Sequence, residues 1–138
     1  MAYWPGMTEE QVESQPGFYN DCHAWGEWMA ERESEPETLD AIRKLKADSI
    51  LTHTTNGMKE AEVQWVTPTQ LRKAVVRLRD AVREEKDEIK IILKTYERNA
   101  NGVDPVSDEF VRDLDDIEAI ANWAEEEGAT RMTLEVNW

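Results

Sequence analysis

Cysteine is almost missing from this chain, which holds Cys22 alone in 138 residues. One thiol excludes an intrachain disulfide and a cysteine-framed zinc site. Histidine is nearly as scarce, with only His23 and His53, so imidazole chemistry has two candidates. Positive charge is short as well: 16 Lys and Arg stand against 30 Asp and Glu, a net charge of −14. Nucleic acids and anionic membranes are held by clustered Lys and Arg against phosphate. This composition argues against both as partners and permits a basic protein. No apolar run approaches the length of a membrane span. The opening Met-Ala-Tyr-Trp-Pro-Gly has no basic stretch followed by an apolar one, so no signal peptide is read and the cytoplasm is the expected location. A Gly-rich phosphate loop, a nucleophile elbow and metal-ligand spacing are missing too. No cofactor and no metal are expected.

What is present is a core. The chain is 40% hydrophobic and has six Trp, enough apolar surface for one folded domain over 1–138, with 1–16 as an N-terminal arm. In that arm, Thr8 with Gln11 three residues on reads as a capped helix start.

The stretch from Thr67 to Gly102 organises the rest. Thr67-Pro68 is a hydroxyl cap followed by Pro at the first helical position, where its missing N–H costs nothing. Leu71, Val75, Leu78 and Val82 recur at helical spacing, and Ile89, Ile92 and Tyr96 resume the stripe. Asn99-Ala100-Asn101-Gly102 closes it. Between Pro68 and Arg98 there are nine Lys and Arg against six Asp and Glu, a mildly basic segment among acidic neighbours. Six consecutive charges, Arg83 to Glu88, interrupt the stripe. One long helix with a solvated middle turn is the preferred reading, and a break into two helices is the alternative.

Other segments flank this one. Phe18, Cys22, Trp25 and Met29, with Trp28 beside them, predict a helix over 17–33. Ser34-Glu35-Pro36-Glu37 predicts a capping box opening a helix over 34–51. Asn56-Gly57 is a hairpin signal between 50–55, read as strand or helix end, and an alternating strand over 60–66. Ser107, with Asp108 and Glu109 in the first turn, predicts a helix along Phe110, Leu114, Ile117, Ile120 and Ala124, closed by Gly128. Met132, Leu134, Val136 and Trp138 alternate with polar residues, a period-two strand over 130–138 whose expected mate is 60–66. The fold class is therefore α+β and predominantly helical: about four helices on a small antiparallel sheet, with strands near 60–66 and 130–138.

Candidate functional residues are few. Trp25 and Trp28 could anchor an interface, although a Trp stripe at helical spacing is more often core. His53 faces Glu60 and Glu62 if the hairpin forms, a carboxylate–imidazole pair able to act as a base or as a surface cross-strand pair. Asp113 and Asp116 belong to one of two acidic flanks around the stripe of the last helix, Asp108, Asp115 and Glu118 to the other. Neither flank has the inward-facing acids and spaced His of a metal site.

Three functions are compatible. The first is a small acidic domain that docks on or neutralises a basic protein, in the manner of an immunity or antitoxin-like inhibitor. The second is a small enzyme built on His53 and nearby carboxylates. The third is a self-associating accessory protein, a homodimer with the terminal strand and the long helix stripe as its seam.

Overall fold

The computed structural model describes residues 2–15, 35–54, 57–96 and 105–135. The predicted helix over 17–33, with Asp21, Cys22, His23, Trp25 and Trp28, lies outside the described residues, as do Ser34, Asn56, the closure at 99–102 and Trp138.

Within the described residues the chain runs β1 (Ala2–Tyr3), α1 (Glu9–Ser14), α2 (Pro36–Lys44), short 3₁₀ turns at Asp48–Leu51 and Glu60–Glu62, α3 (Pro68–Arg83), α4 (Asp87–Tyr96), α5 (Val106–Glu126) and β2 (Thr133–Leu134). This is the predominantly helical α+β class with a small antiparallel sheet. No described helix is long and apolar enough to cross a membrane.

The capping signals act where the residues place them. Thr8 accepts from the Gln11 backbone N–H at 3.1 Å, and the Gln11 side chain accepts from the Thr8 N–H at 3.0 Å. Thr67 and Gln70 repeat the arrangement ahead of Pro68. Two starts shift. α2 opens from Glu35, with Pro36 at its first position. α5 opens from Pro105, which puts Ser107 inside its first turn.

The long central helix is two helices. Glu85 takes φ of +52°, and its N–H reaches the Val82 carbonyl while the Lys86 N–H reaches that of Ala81. These two bonds are a Schellman closure, which ends a helix whatever the identity of its left-handed residue. α2 ends in the same way at Lys46, φ +57°, so the helix expected over 34–51 stops at Lys44. Gly128, φ +83°, closes α5 as the sequence predicts.

The core lies between α3 and α5, with α4, α2 and the first 3₁₀ turn packed around that pair. Leu71, Val75, Leu78, Ile92, Tyr96, Phe110, Leu114 and Ile117 are all buried. Phe110 meets Tyr96 edge-on, with ring centroids 5.1 Å apart. Thr38 on α2 and Thr95 on α4 satisfy each other at 2.7 Å inside this apolar contact.

The sheet differs most from expectation. β2 pairs antiparallel with β1, Ala2 opposite Leu134 and Tyr3 opposite Thr133. The segment expected as the mate contributes one antiparallel bridge, Val66 with Met132, through bonds of 3.1 and 2.7 Å. Thr54 adds a parallel bridge, its N–H 2.8 Å from the Leu134 carbonyl. Over 60–62 the strand does not form, because the Glu62 carboxylate accepts the Lys59 N–H at 3.2 Å and closes a local turn. Side chains that bond nearby backbone compete in this way with a ladder. Thr54 thus bonds to Leu134 of β2 and Val66 to Met132 just before it, instead of pairing as a hairpin. β2 has partners from both β1 and the 54–66 segment, and Met132, Thr133 and Leu134 are all buried. The N-terminal residues complete the core: Trp4 packs on Trp123 with centroids 5.3 Å apart, and buried Gln15 accepts from the Ala2 N–H at 2.7 Å.

Candidate functional site

The segment between Leu51 and Val66 is held at its ends and open in its middle. At one end buried Thr52 bonds to the Gln64 carbonyl and to Thr133, each at 2.7 Å. At the other, Val66 is fixed to Met132. Gly57 turns the chain with φ of +91°, a region that suits a residue without Cβ. Exposed Lys59, Glu60 and Glu62 follow.

Two shallow clefts open on this segment and share Met58. The first, of about 200 Å³, is walled by His53 and Glu62, with Arg43 of α2 and Gln64 beside them and Leu39 and Leu51 as its apolar part. The second, of about 240 Å³, is walled by Tyr3, Met58, Glu60 and Glu135. Trp65 stands next to Tyr3, centroids 6.0 Å apart, and carries the Arg131 guanidinium 4.6 Å above its ring.

His53 is half-buried, and its Nδ1 lies 3.1 Å from the Leu51 carbonyl. A carbonyl only accepts, so Nδ1 is the donor and the neutral ring keeps its lone pair on Nε2. The geometry brings His53 and Glu62 to one cleft and sets Glu60 across Met58 in the other. Arg43 and Leu39 join from α2, a long-range contribution for which the sequence holds no local signal.

Asp113 and Asp116 are elsewhere, on α5. The half-buried Asp113 carboxylate accepts from the Tyr96 hydroxyl, which links α5 to α4. The opposite flank of α5 is neutralised from α3. Arg72 pairs with Glu125. Arg79 reaches Asp115 at 2.6 Å and Glu118 at 3.2 Å. Hydrogen bonding to Glu118, chiefly, and to Asp115 holds the Arg79 guanidinium above its ordinary pKa. Among the described residues no three His, Cys, Asp or Glu side chains are grouped to hold a metal ion.

The expected dimer seam is used within the chain: the long stripe forms the core and β2 has partners from both β1 and the 54–66 segment. Neither a protein-family profile, nor a curated protein, nor a solved structure matches this chain.

Proposed function

We propose that this chain is a binding domain for a basic protein, which it docks on or neutralises in the manner of an immunity or antitoxin-like inhibitor, and that the face around Met58 makes the contact. The observation that carries this reading is the division of charge. Arg72 and Arg79 are engaged by carboxylates of α5 inside the molecule, while exposed Glu60 and Glu62 stand on either side of half-buried Met58, each beside a cleft. An apolar side chain between two carboxylates suits a partner surface of Lys or Arg with aliphatic stems, and the surplus of acids elsewhere steers such a partner inward. Adjacent Tyr3 and Trp65 supply the aromatic area typical of binding anchors.

The test is capture from host lysate by the tagged chain at low and at high salt, with Glu60→Lys/Glu62→Lys alongside. A basic protein retained at low salt, released at high salt and lost by the double variant supports the reading. Retention that ignores both salt and charge reversal refutes it.

A second reading rests on the shared cleft of His53 and Glu62, with Nε2 of His53 as a base toward a small substrate. It requires an activity that His53→Gln abolishes while partner capture is unchanged.

A further inference from the structure

Four of the seven basic side chains on α3 and α4 pair with a carboxylate, and Lys73, Arg77 and Lys94 make no ion pair among the described residues. Besides Arg72 and Arg79, Arg83 pairs with Asp80 at 2.6 Å, Lys86 with Glu84 at 3.6 Å and Lys90 with Asp87 at 3.6 Å. Of the three without an ion pair, Lys73 and Arg77 share a helix. They lie four residues apart on the exposed side of α3, and neither makes an ion pair among the described residues. Arg77 instead donates to the Lys46 carbonyl at 2.6 Å, which brings exposed Lys46 alongside. Between them sits Val76, 43% exposed, one of two large hydrophobic side chains open to solvent among the described residues. In a chain of net charge −14, three neighbouring cations around an exposed Val form a face built for carboxylates.

The same chain carries the complementary pattern. α1 buries none of its residues. Glu9 and Glu13 lie four apart with Val12 three after Glu9, the spacing of Lys73, Arg77 and Val76. Side chains at i, i+3 and i+4 share one helical face. On α1 that face offers two exposed carboxylates and half-buried Val12, with exposed Glu10 next to them. The Thr8–Gln11 capping box holds this short helix in shape.

We propose that α1 of one copy docks on the outer face of α3 of a second copy, Glu9 and Glu13 against Lys73 and Arg77, with Val12 against Val76. Made twice, α1 of each copy on α3 of the other, the contact closes two copies about a two-fold axis; made once, it would leave both patches open and carry the mass past that of a dimer. It uses none of the residues around Met58 and stands whether or not a basic partner binds there. The two acidic chains repel at long range. At about 0.15 M ionic strength the Debye length is about 8 Å, which screens that repulsion more than pairs in contact.

Sedimentation equilibrium of the full chain at that ionic strength, across a wide concentration range, provides the test. The expected result is a mass rising from 16.0 kDa toward its double with concentration. Lys73→Glu/Arg77→Glu and Glu9→Lys/Glu13→Lys should each weaken the dimer by about tenfold or more, and the combined fourfold variant should restore it. Because Glu9→Lys also opposes the dipole of α1, a second measurement is independent of charge exchange. Val12→Cys and Val76→Cys, each in a Cys22→Ser background, should cross-link when mixed and not when kept apart. A monomeric mass at every concentration, a dimer that survives both double reversals, or no cross-link in the mixture would overturn the proposal.

Discussion

Thr133 donates its hydroxyl hydrogen to Thr52. The direction follows from counting: the two oxygens are 2.7 Å apart, and Thr52 gives its own single hydrogen to the Gln64 carbonyl, also at 2.7 Å. The relay runs from β2 through Thr52 into the loop that carries His53 and Glu62. Thr52→Val keeps the shape and removes both links, leaving a buried donor and a carbonyl unmatched. Urea denaturation should show a loss of about 1–3 kcal/mol. The Thr52→Val/Thr133→Val double variant should lose less than the sum of the single changes, since it leaves no orphaned hydroxyl.

Glu85 and Lys46 hold left-handed backbone at helix ends where glycine is the common residue. The Cβ penalty there is about 1–2 kcal/mol, offset in part by the greater freedom glycine loses on folding. Glu85→Gly and Lys46→Gly should each raise stability by about 0.5–1 kcal/mol in chemical denaturation. Gly128→Ala should lower it by a similar amount, because Gly128 has φ of +83° with nothing within 4 Å of the added Cβ. The cost would then be conformational, with no clash to confound it.

These caps show what was legible in the sequence. Thr67-Pro68 and Thr8 with Gln11 are local devices, whose partners sit three residues away, and they act as read. The helix break at Glu85 was marked by the loss of apolar residues from 83 to 88. The closing residue, however, is a Glu, which carries no turn signal of its own. The sheet was less legible. Ala2 and Tyr3 pair with residues at the far end of the chain, and two residues have too little periodicity to declare a strand. Thr133 was expected on the polar side of an edge strand and is buried, because Thr54 and Val66 also bond to Leu134 and Met132 on either side of it. At the candidate site, His53 and Glu62 line one cleft although the hairpin expected from Asn56-Gly57 does not form among the described residues. The entry of Arg43 and Leu39 from α2 depends on tertiary packing that no local pattern encodes.

Arg79 with Asp115 and Glu118 ties α3 to α5. The side chain is 31% exposed and its Nε is buried without a hydrogen-bond partner among the described residues, so the net contribution is modest. A double-mutant cycle with Arg79→Ala and Glu118→Ala should give a coupling of about 0.5–1 kcal/mol that shrinks at high salt. A base whose folded pKa lies above its unfolded value stabilises fully below the unfolded value, and that stability is lost only as pH climbs through the folded one. Arg79 is such a group. The coupling should therefore hold constant from neutral pH to about pH 10, and a decline within that range would contradict the assignment.

Asp113 offers a way to separate structure from binding. Its carboxylate accepts from the Tyr96 hydroxyl, and Tyr96 is buried between α4 and α5. A hydrogen bond to a charged group contributes about 1.5–3 kcal/mol, so Tyr96→Phe should destabilise the fold by that order. Asp113→Asn should cost less, because the amide oxygen still accepts. Asp113 and Asp116 lie on α5 and line neither cleft at Met58, and their removal reduces the acidic surplus without touching Glu60 or Glu62. If the basic partner binds around Met58, Asp113→Asn/Asp116→Asn should leave salt-sensitive capture intact apart from a small drop in association rate, whereas Glu60→Lys/Glu62→Lys abolishes it. The opposite order of effects, read by surface plasmon resonance with the captured protein, would move the binding face to α5.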